Sequence, residues 1–452
     1  MNNLSFFRRI RFKNTIACGI RMKVLMFGWE FPPFNKGGLG TACYGLTRGL
    51  RNKGADVTFV VPKAPKGVKG EHVELLVADS FYLDSDSEMK YIEIESLLLP
   101  YITTDQYRTR LQSMKGNIKK NENYDGSDDL YGKDLYSEVY RFADKARLVS
   151  ALEDHDIIHA HDWMTFPAAV EAQKVSGKPM VIHVHATEFD RAGGNCNQKV
   201  YDIERMGMHA ADKIMAVSNL TRERIIASYG IDPSKVEVVH NAVDFTDTKF
   251  TKADLKKNSD ETMILFLGRI TMQKGPEYFL RAAKLVSEIA PDKKINYVFA
   301  GTGDMEGQMI NLAAELGISD KVKFAGWLTG PDIDKLYSMA DLYVMPSVSE
   351  PFGITPLEAM RNNTPVLISK TSGVSEVIKH AMKIDFWDVE EMAEKMLAIA
   401  NYSSLHSTLS KNGFEEVHRF SWDEPAGKCI NVYNSVLTKG FGTNNTLVSK
   451  WN

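Results

Sequence analysis

The sequence predicts an α/β protein built from two doubly wound parallel sheets, one in each half of the chain. Three observations predict it. Short apolar runs rich in Val and Ile recur along the 452 residues; most are followed by Gly, Pro or Ser; and helix-period segments separate many of them. Continuous apolar strands alternating with helices are buried on both faces, which is how parallel sheets covered by helices read.

In the first half the strand candidates are "KVLMFGW", "DVTFVVP", "DIIHAHD", "PMVIHVHA", "KIMAVS" and "VEVVHNA". In the second half they are "MILFLGRI", "NYVFAGTG", "VKFAGWL", "DLYVMPS" and "PVLISKT". The first helix candidate, "GLGTACYGLTRGLRNKGA", puts Leu39, Cys43, Leu46 and Leu50 on one stripe, with Gly54 as its stop.

The strand pattern pauses over the polar stretch 240–262 and restarts at "MILFLGRI". The domain junction is expected there, giving an N-terminal domain over 22–245 and a C-terminal domain over 246–420. Residues 84–134 are polar, acidic and Tyr-rich, and read as an insert in the first domain. That insert is either a surface excursion or a mobile acceptor-side loop. Residues 1–21 are basic and read as an extension ahead of a natural start at Met22. Residues 421–440 carry Trp422, Ala426, Ile430 and Tyr433 at helical spacing, and 441–452 read as a tail.

Composition excludes several classes. The formal net charge of −3 gives no polybasic footprint, which argues against nucleic acid as a partner. No apolar run approaches the roughly 18–20 residues that span a bilayer, so no transmembrane segment is expected. The four cysteines, Cys18, Cys43, Cys196 and Cys429, are scattered without a C-x-x-C pair. Free thiols in a reducing cytoplasm are the expectation.

Folds of this kind often bind dinucleotides. Here the glycine loop "GWEFPPFNKGGLGTAC" lies many residues beyond the first strand, and Cys43 stands where a third glycine belongs. Strand two ends in "TFVVPK", without an acid for a ribose hydroxyl. A nicotinamide enzyme is therefore not expected. Lys36, Gly37 and Gly38 instead suit a phosphate or polyhydroxyl ligand, because glycine lets backbone approach closely and Lys36 adds a cation.

Two further stretches carry candidate chemistry. "LGRITMQKG" places Arg269 at a strand end and Lys274 just before Gly275-Pro276. Both cations then sit at the carboxyl edge of a parallel sheet, where they would stabilise a departing diphosphate without a metal. "SEPFGITPLEAM" places Glu350 in a bend and Glu358 beyond it. Thr355 reads as an N-cap with Pro356 in the first turn and Glu358 at the third position, a capping box. Glu350 lies outside that helix and could accept hydrogen bonds from a sugar, while N–H groups near Gly353 and Ile354 face a phosphate.

Taken together, "EPFGITPLE", "GRITMQKG" and "GWEFPPFNKGGLG" resemble retaining nucleotide-sugar glycosyltransferases of the two-domain GT-B fold. The resemblance is to glycosyltransferase family 4 and its glycogen/starch synthase relatives. "HAHDWMTFPAA", "AVSNLTRERI" and "HNAVD" extend it over most of the chain from Met22 to about residue 440.

The resemblance implies that Glu358 holds the nucleotide ribose, Glu350 contacts the donor sugar, and Arg269 and Lys274 neutralise the diphosphate. It puts Gly37 and Gly38 against phosphates and sugar, and the last helix back on the first domain. It also implies that His185 hydrogen-bonds the donor sugar. His183 lies two residues earlier on the same face of the strand, and His161, with Asp162, reads as an acceptor-side or cleft group. Two departures matter. Lys36 is adjacent to Gly37 rather than spaced by one residue, and Glu358 is an acid that bacterial glycogen synthases tend to lack.

The expected reaction is elongation of an α-1,4-glucan from a nucleotide-diphosphate glucose, UDP- or ADP-linked, used as co-substrate with no cofactor and no metal. A family 4 enzyme for a surface polysaccharide or small acceptor, a sugar phosphorylase and a non-catalytic nucleotide-sugar-binding protein are the alternatives. A metal-dependent transferase would need an acidic motif; "DSD" at Asp84–Asp86 stands alone in the polar insert.

Overall fold

A computed structural model describes residues 21–33, 37–64, 69–83, 118–120, 135–193, 195–245 and 261–442. Lys36, the "DSD" motif, most of the 84–134 insert, the 246–260 stretch of the junction, residues 1–20 and the tail after 442 lie outside the described residues.

Each quoted apolar run forms a strand. The N-terminal strands are β1 (Lys23–Phe27), β2 (Asp56–Val61), β3 (Glu74–Val77), β4 (Phe81–Leu83), β5 (Ile118–Lys120), β6 (Ile157–His161), β7 (Met180–Val184), β8 (Lys213–Ala216) and β9 (Val236–Val238). All but β4 and β5, which pair antiparallel, form one parallel sheet in the order β3-β2-β1-β6-β7-β8-β9. The C-terminal strands are β10 (Thr262–Leu267), β11 (Ile295–Ala300), β12 (Val322–Phe324), β13 (Leu342–Met345), β14 (Val366–Ser369) and β15 (Met382–Ile384). They form a second parallel sheet in the order β12-β11-β10-β13-β14-β15. The strands β3, β4, β5 and β15 are not among the quoted runs.

This order decides where ligands go. In both sheets the first strand has later strands on either side, so strand order reverses at β1/β6 and at β10/β13. A parallel sheet opens a crevice at the carboxyl ends of its strands at such a switch point. The two halves are therefore two Rossmann-like domains, each with its crevice set by topology.

The helix Gly38–Asn52 buries Cys43, Leu46 and Leu50 against β1 and β2, with Leu39 half-buried. Burying each leucine contributes about 1.5–3 kcal/mol. The chain turns at Gly54, whose φ of +89° favours glycine. The C-terminal helix, Asp423–Gly442, lies on the N-terminal domain's core across this first helix. Glycines make that crossing close: a Cβ on Gly45 would stand 2.2 Å from the Trp422 ring, and one on Gly49 would stand 2.5 Å from the Trp422 carbonyl oxygen. The buried stripe of the last helix is Trp422, Ala426, Cys429 and Tyr433. Ile430, expected on it, is only half-buried, because a seven-residue step from Trp422 to the core interface selects Cys429.

Polar contacts join the domains near their crevices. Ser218 Oγ donates to the Pro351 carbonyl at 2.6 Å. Glu376 accepts from the N–H groups of Asn219 and Leu220, both at 2.9 Å, and bonds His240 Nε2 at 3.1 Å. No helix among the described residues is long and apolar enough to cross a membrane.

Candidate active site

The carboxyl ends of β10 and β13 hold the cationic and acidic candidates. After β10, Gly268 adopts a φ of +152° and leads to Arg269, which is exposed. A single turn, Met272–Lys274, then ends at Gly275, with φ +65°. A Cβ there would stand 2.1 Å from the Pro346 carbonyl oxygen, so only glycine lets this turn pack on the exit of β13. That packing delivers Lys274 Nζ to Glu350 Oε2, a close and largely buried ion pair. Ser347 Oγ donates to the same oxygen at 3.3 Å. Glu350 is 7% exposed, and its backbone bridges to the segment after β14, donating to Thr371 O and accepting from Gly373 N.

Gly353, at φ +95°, turns the bend that follows. The Gly353 and Ile354 N–H groups donate to no acceptor among the described residues. The next helix is Thr355–Arg361, and it corrects the expected capping box. Ile354 is its N-cap, and no side chain caps it. Thr355 Oγ1 instead accepts from Tyr343 OH of β13 at 2.8 Å. Glu358 does not reach back to a backbone N–H; it accepts from Tyr337 OH at 3.3 Å. Two tertiary tyrosines have taken both side chains, and the helix starts one residue early. Burial pushes the Glu358 carboxyl up, with Arg361 pulling it partly back.

On the N-terminal side, β6 and β7 pair with His161 opposite His183, which stacks four imidazoles. Ring planes are 30° apart for His159 and His161, 12° for His159 and His183, and 26° for His183 and His185. His159 bonds Tyr433 OH of the last helix through Nδ1 at 2.7 Å. His161 Nδ1 lies 2.9 Å from His185 Nε2. Burial holds all four rings neutral, with His185 lowered to about 3. His159, His161 and His183 each bring a ring nitrogen within 4.8 Å of the others, and Cys43 Sγ lies within the same distance of nitrogens of His161 and His185.

His161 and Asp162 were expected to face the cleft, and both are buried. His161 sits behind His185. Asp162, a non-glycine residue at φ +59°, turns its carboxylate onto the end of β7, where Oδ1 accepts from the N–H of His185 at 2.6 Å and of Ala186 at 3.3 Å. Burial pushes its carboxyl up to about 6. It therefore positions the His185 backbone. His183 is 1% exposed and His185 half-buried, so of the two expected on one face, His185 is the ring that reaches the crevice.

The glycine loop divides its labour differently from expectation. A Cβ on Gly37 would stand 2.4 Å from Glu30 Oε2, whereas a Cβ on Gly38 would meet nothing within 4 Å. Gly37 makes room for a carboxylate of its own chain, and only Gly38 faces open space. Burial raises the Glu30 carboxyl; the Gly40 N–H lowers it, Asp162 raises it, and Arg269 of the other domain lowers it. Glu30 and Arg269 thus feel each other across the crevice. A second cross-domain cluster joins Ser349, next to Glu350, to Asp190, with Ser349 Oγ donating to Asp190 Oδ1 at 2.7 Å and Arg224 contacting both.

Sequence reasoning missed Glu30 and Asp190. Glu30 was legible as the acid between the first strand and the glycines. Trp327 follows Gly326 beyond β12, at the carboxyl edge of the C-terminal sheet, and is 60% exposed.

Comparison with known proteins agrees with this geometry. The model "Glycosyl transferases group 1" matches residues 247–416, and "Starch synthase catalytic domain" matches residues 23–234. An uncharacterized glycosyltransferase of Methanocaldococcus jannaschii is 27% identical over 433 residues, covering 92% of this chain and 99% of that protein. A D-inositol 3-phosphate glycosyltransferase of Catenulispora acidiphila is 26% identical over 318 residues, 66% of this chain and 76% of its own length. Among solved structures, sucrose-phosphate synthase of Thermosynechococcus elongatus superposes with a TM-score of 0.70 at 16% identity, covering 93% of this chain and 100% of its own. The chain is an enzyme, a glycosyltransferase of the GT-B fold that resembles glycogen and starch synthases.

Proposed function

We propose that the protein moves a hexosyl unit, with retention at the anomeric carbon, from a nucleotide-diphosphate sugar to a glycan acceptor, and that the reaction elongates an α-1,4-glucan from UDP- or ADP-glucose. The observation that carries this reading is the convergence of Arg269 and the Lys274–Glu350 pair at one switch point with His185 at the other.

In this reading Arg269 and Lys274 hold the diphosphate and absorb the charge that develops as the glycosidic bond breaks. Glu350 keeps Lys274 aimed and accepts from donor-sugar hydroxyls, and the free N–H groups of Gly353 and Ile354, with Thr355, receive phosphate oxygens. Glu358, kept in place by Tyr337, takes the ribose hydroxyls. The exposed Trp327 ring stacks on the base. His185 meets the donor sugar from the N-terminal side, Gly38 borders it, and Lys36 adds a cation for the donor phosphates. The departing phosphate assists the acceptor hydroxyl on the same face, since Glu350 is paired with Lys274 and the described residues give no carboxylate pair that must act as nucleophile and acid.

A second reading keeps this donor chemistry and uses a small phosphorylated acceptor. The similarity to a D-inositol 3-phosphate glycosyltransferase favours it. A panel of UDP-, ADP- and GDP-sugars, each with glycogen, maltooligosaccharide or inositol 3-phosphate, separates the two by nucleotide release. Release that depends on glucan supports elongation, release only with inositol 3-phosphate supports the second reading, and no release from any mixture overturns both.

A further inference from the structure

We infer that His161 is a positioning residue that fixes the tautomer of His185, so that His185 presents Nδ1–H, a hydrogen-bond donor, to the crevice. The inference deepens the role given to His185 under the proposed function and rests on it.

His161 Nδ1 and His185 Nε2 lie 2.9 Å apart, so one carries the hydrogen between them. Both rings are neutral, and a neutral imidazole carries one N–H. If His185 donated from Nε2, the His161 proton would have to sit on its own Nε2. That atom is buried and has no partner among the described residues. A buried N–H without an acceptor is rarer and more costly than a buried lone pair without a donor. His161 therefore carries its proton on Nδ1 and donates it, leaving its Nε2 as a bare lone pair. His185 Nε2 is then the acceptor, and its single proton falls on Nδ1, the nitrogen that the buried orphans do not include.

The surroundings hold this arrangement in place. His161 is 0% exposed, stacked on Phe59, His159 and His183, and its own carbonyl accepts from Thr165 Oγ1 at 2.8 Å. Asp162 pins the His185 N–H at 2.6 Å, so the His185 backbone has little freedom to swing its ring. Cys43 closes the same space with a thiol that burial keeps protonated. His185 consequently acts as a donor toward a sugar oxygen. Its crevice face offers no lone pair that could take a proton from an acceptor hydroxyl.

The test is a 15N spectrum of the imidazoles in the whole protein, with His185 assigned by the signals lost in His185→Gln. The inference expects a neutral His185 protonated on Nδ1. A His185 protonated on Nε2 overturns it. The variant His161→Leu should bring in the Nε2–H form of His185 and lower kcat at least roughly tenfold, with donor KM held within about twofold. His161→Asn, which restores an N–H donor near the same place, should recover the Nδ1–H form and most of the lost turnover. A His161→Leu protein with unchanged tautomer and turnover contradicts the inference. Should that variant fail to fold, the wild-type spectrum and His161→Asn decide. The tautomer is read without any substrate, so its failure is distinct from a failure of glycosyl transfer.

Discussion

Lys274 and Glu350 form an ion pair that ties the turn after β10 to the bend after β13, across the switch point of the C-terminal sheet. Their side chains are 21% and 9% exposed, so the pair is largely withdrawn from water. Removing one charge from such a pair leaves the other poorly solvated. Glu350→Gln should therefore lower unfolding free energy by about 1–3 kcal/mol in denaturant titration, the cost of leaving a largely buried polar group unpaired. It should also lower kcat, because Lys274 loses its anchor. A variant with unchanged midpoint and unchanged kcat would show that the pair neither holds the bend nor aims the lysine.

The contact between domains at Glu376 has a pH signature. Burial alone would raise this carboxyl, but the bond to His240 and those from Asn219 and Leu220 outweigh it and hold it at about 2, against an ordinary 4.5. A depressed carboxyl stabilises the fold above its unfolded value, and that contribution fades as pH falls through the folded value. Stability measured by urea midpoint should therefore drop between roughly pH 5 and pH 2, and Glu376→Gln should flatten part of that drop. A Gln variant whose pH profile overlays the wild type would remove Glu376 from the account of how the domains are held.

Trp327 offers a separate reading of the donor. An exposed indole contributes little to packing, so Trp327→Ala should leave the melting temperature nearly unchanged. Loss of a stacked base is worth about 1–3 kcal/mol, so donor KM should rise roughly 5- to 150-fold with kcat little altered. Equal KM values for the two proteins would place the base elsewhere.

Much of the architecture was legible because it rests on local pattern. The apolar runs became strands, and the strand order put Arg269 and Lys274 at a carboxyl edge, where their spacing had placed them. What was not legible depends on partners distant in sequence. The "TPLE" capping box is sound local chemistry, yet Tyr343 and Tyr337 claim Thr355 and Glu358 from other elements. Gly37 read as a place for a ligand, although Glu30 fills the space beside it. Strand periodicity put His183 and His185 on one face, but periodicity does not say where the sheet ends and the crevice begins. His161 read as an acceptor-side or cleft residue from the resemblance of "HAHDW", and the register of β6 against β7 buries it behind His185.

The most direct test of the central claim, that two cations at the end of the C-terminal sheet drive departure of a nucleotide diphosphate, is the turnover of Arg269→Ala and Lys274→Ala with the donor and acceptor found active in the panel. Each loss should lower kcat by roughly 100-fold, in line with removal of a group that meets charge developing in the transition state. Arg269 is exposed, so its variant should melt with the wild type. Turnover at the wild-type level in both folded variants would contradict the account.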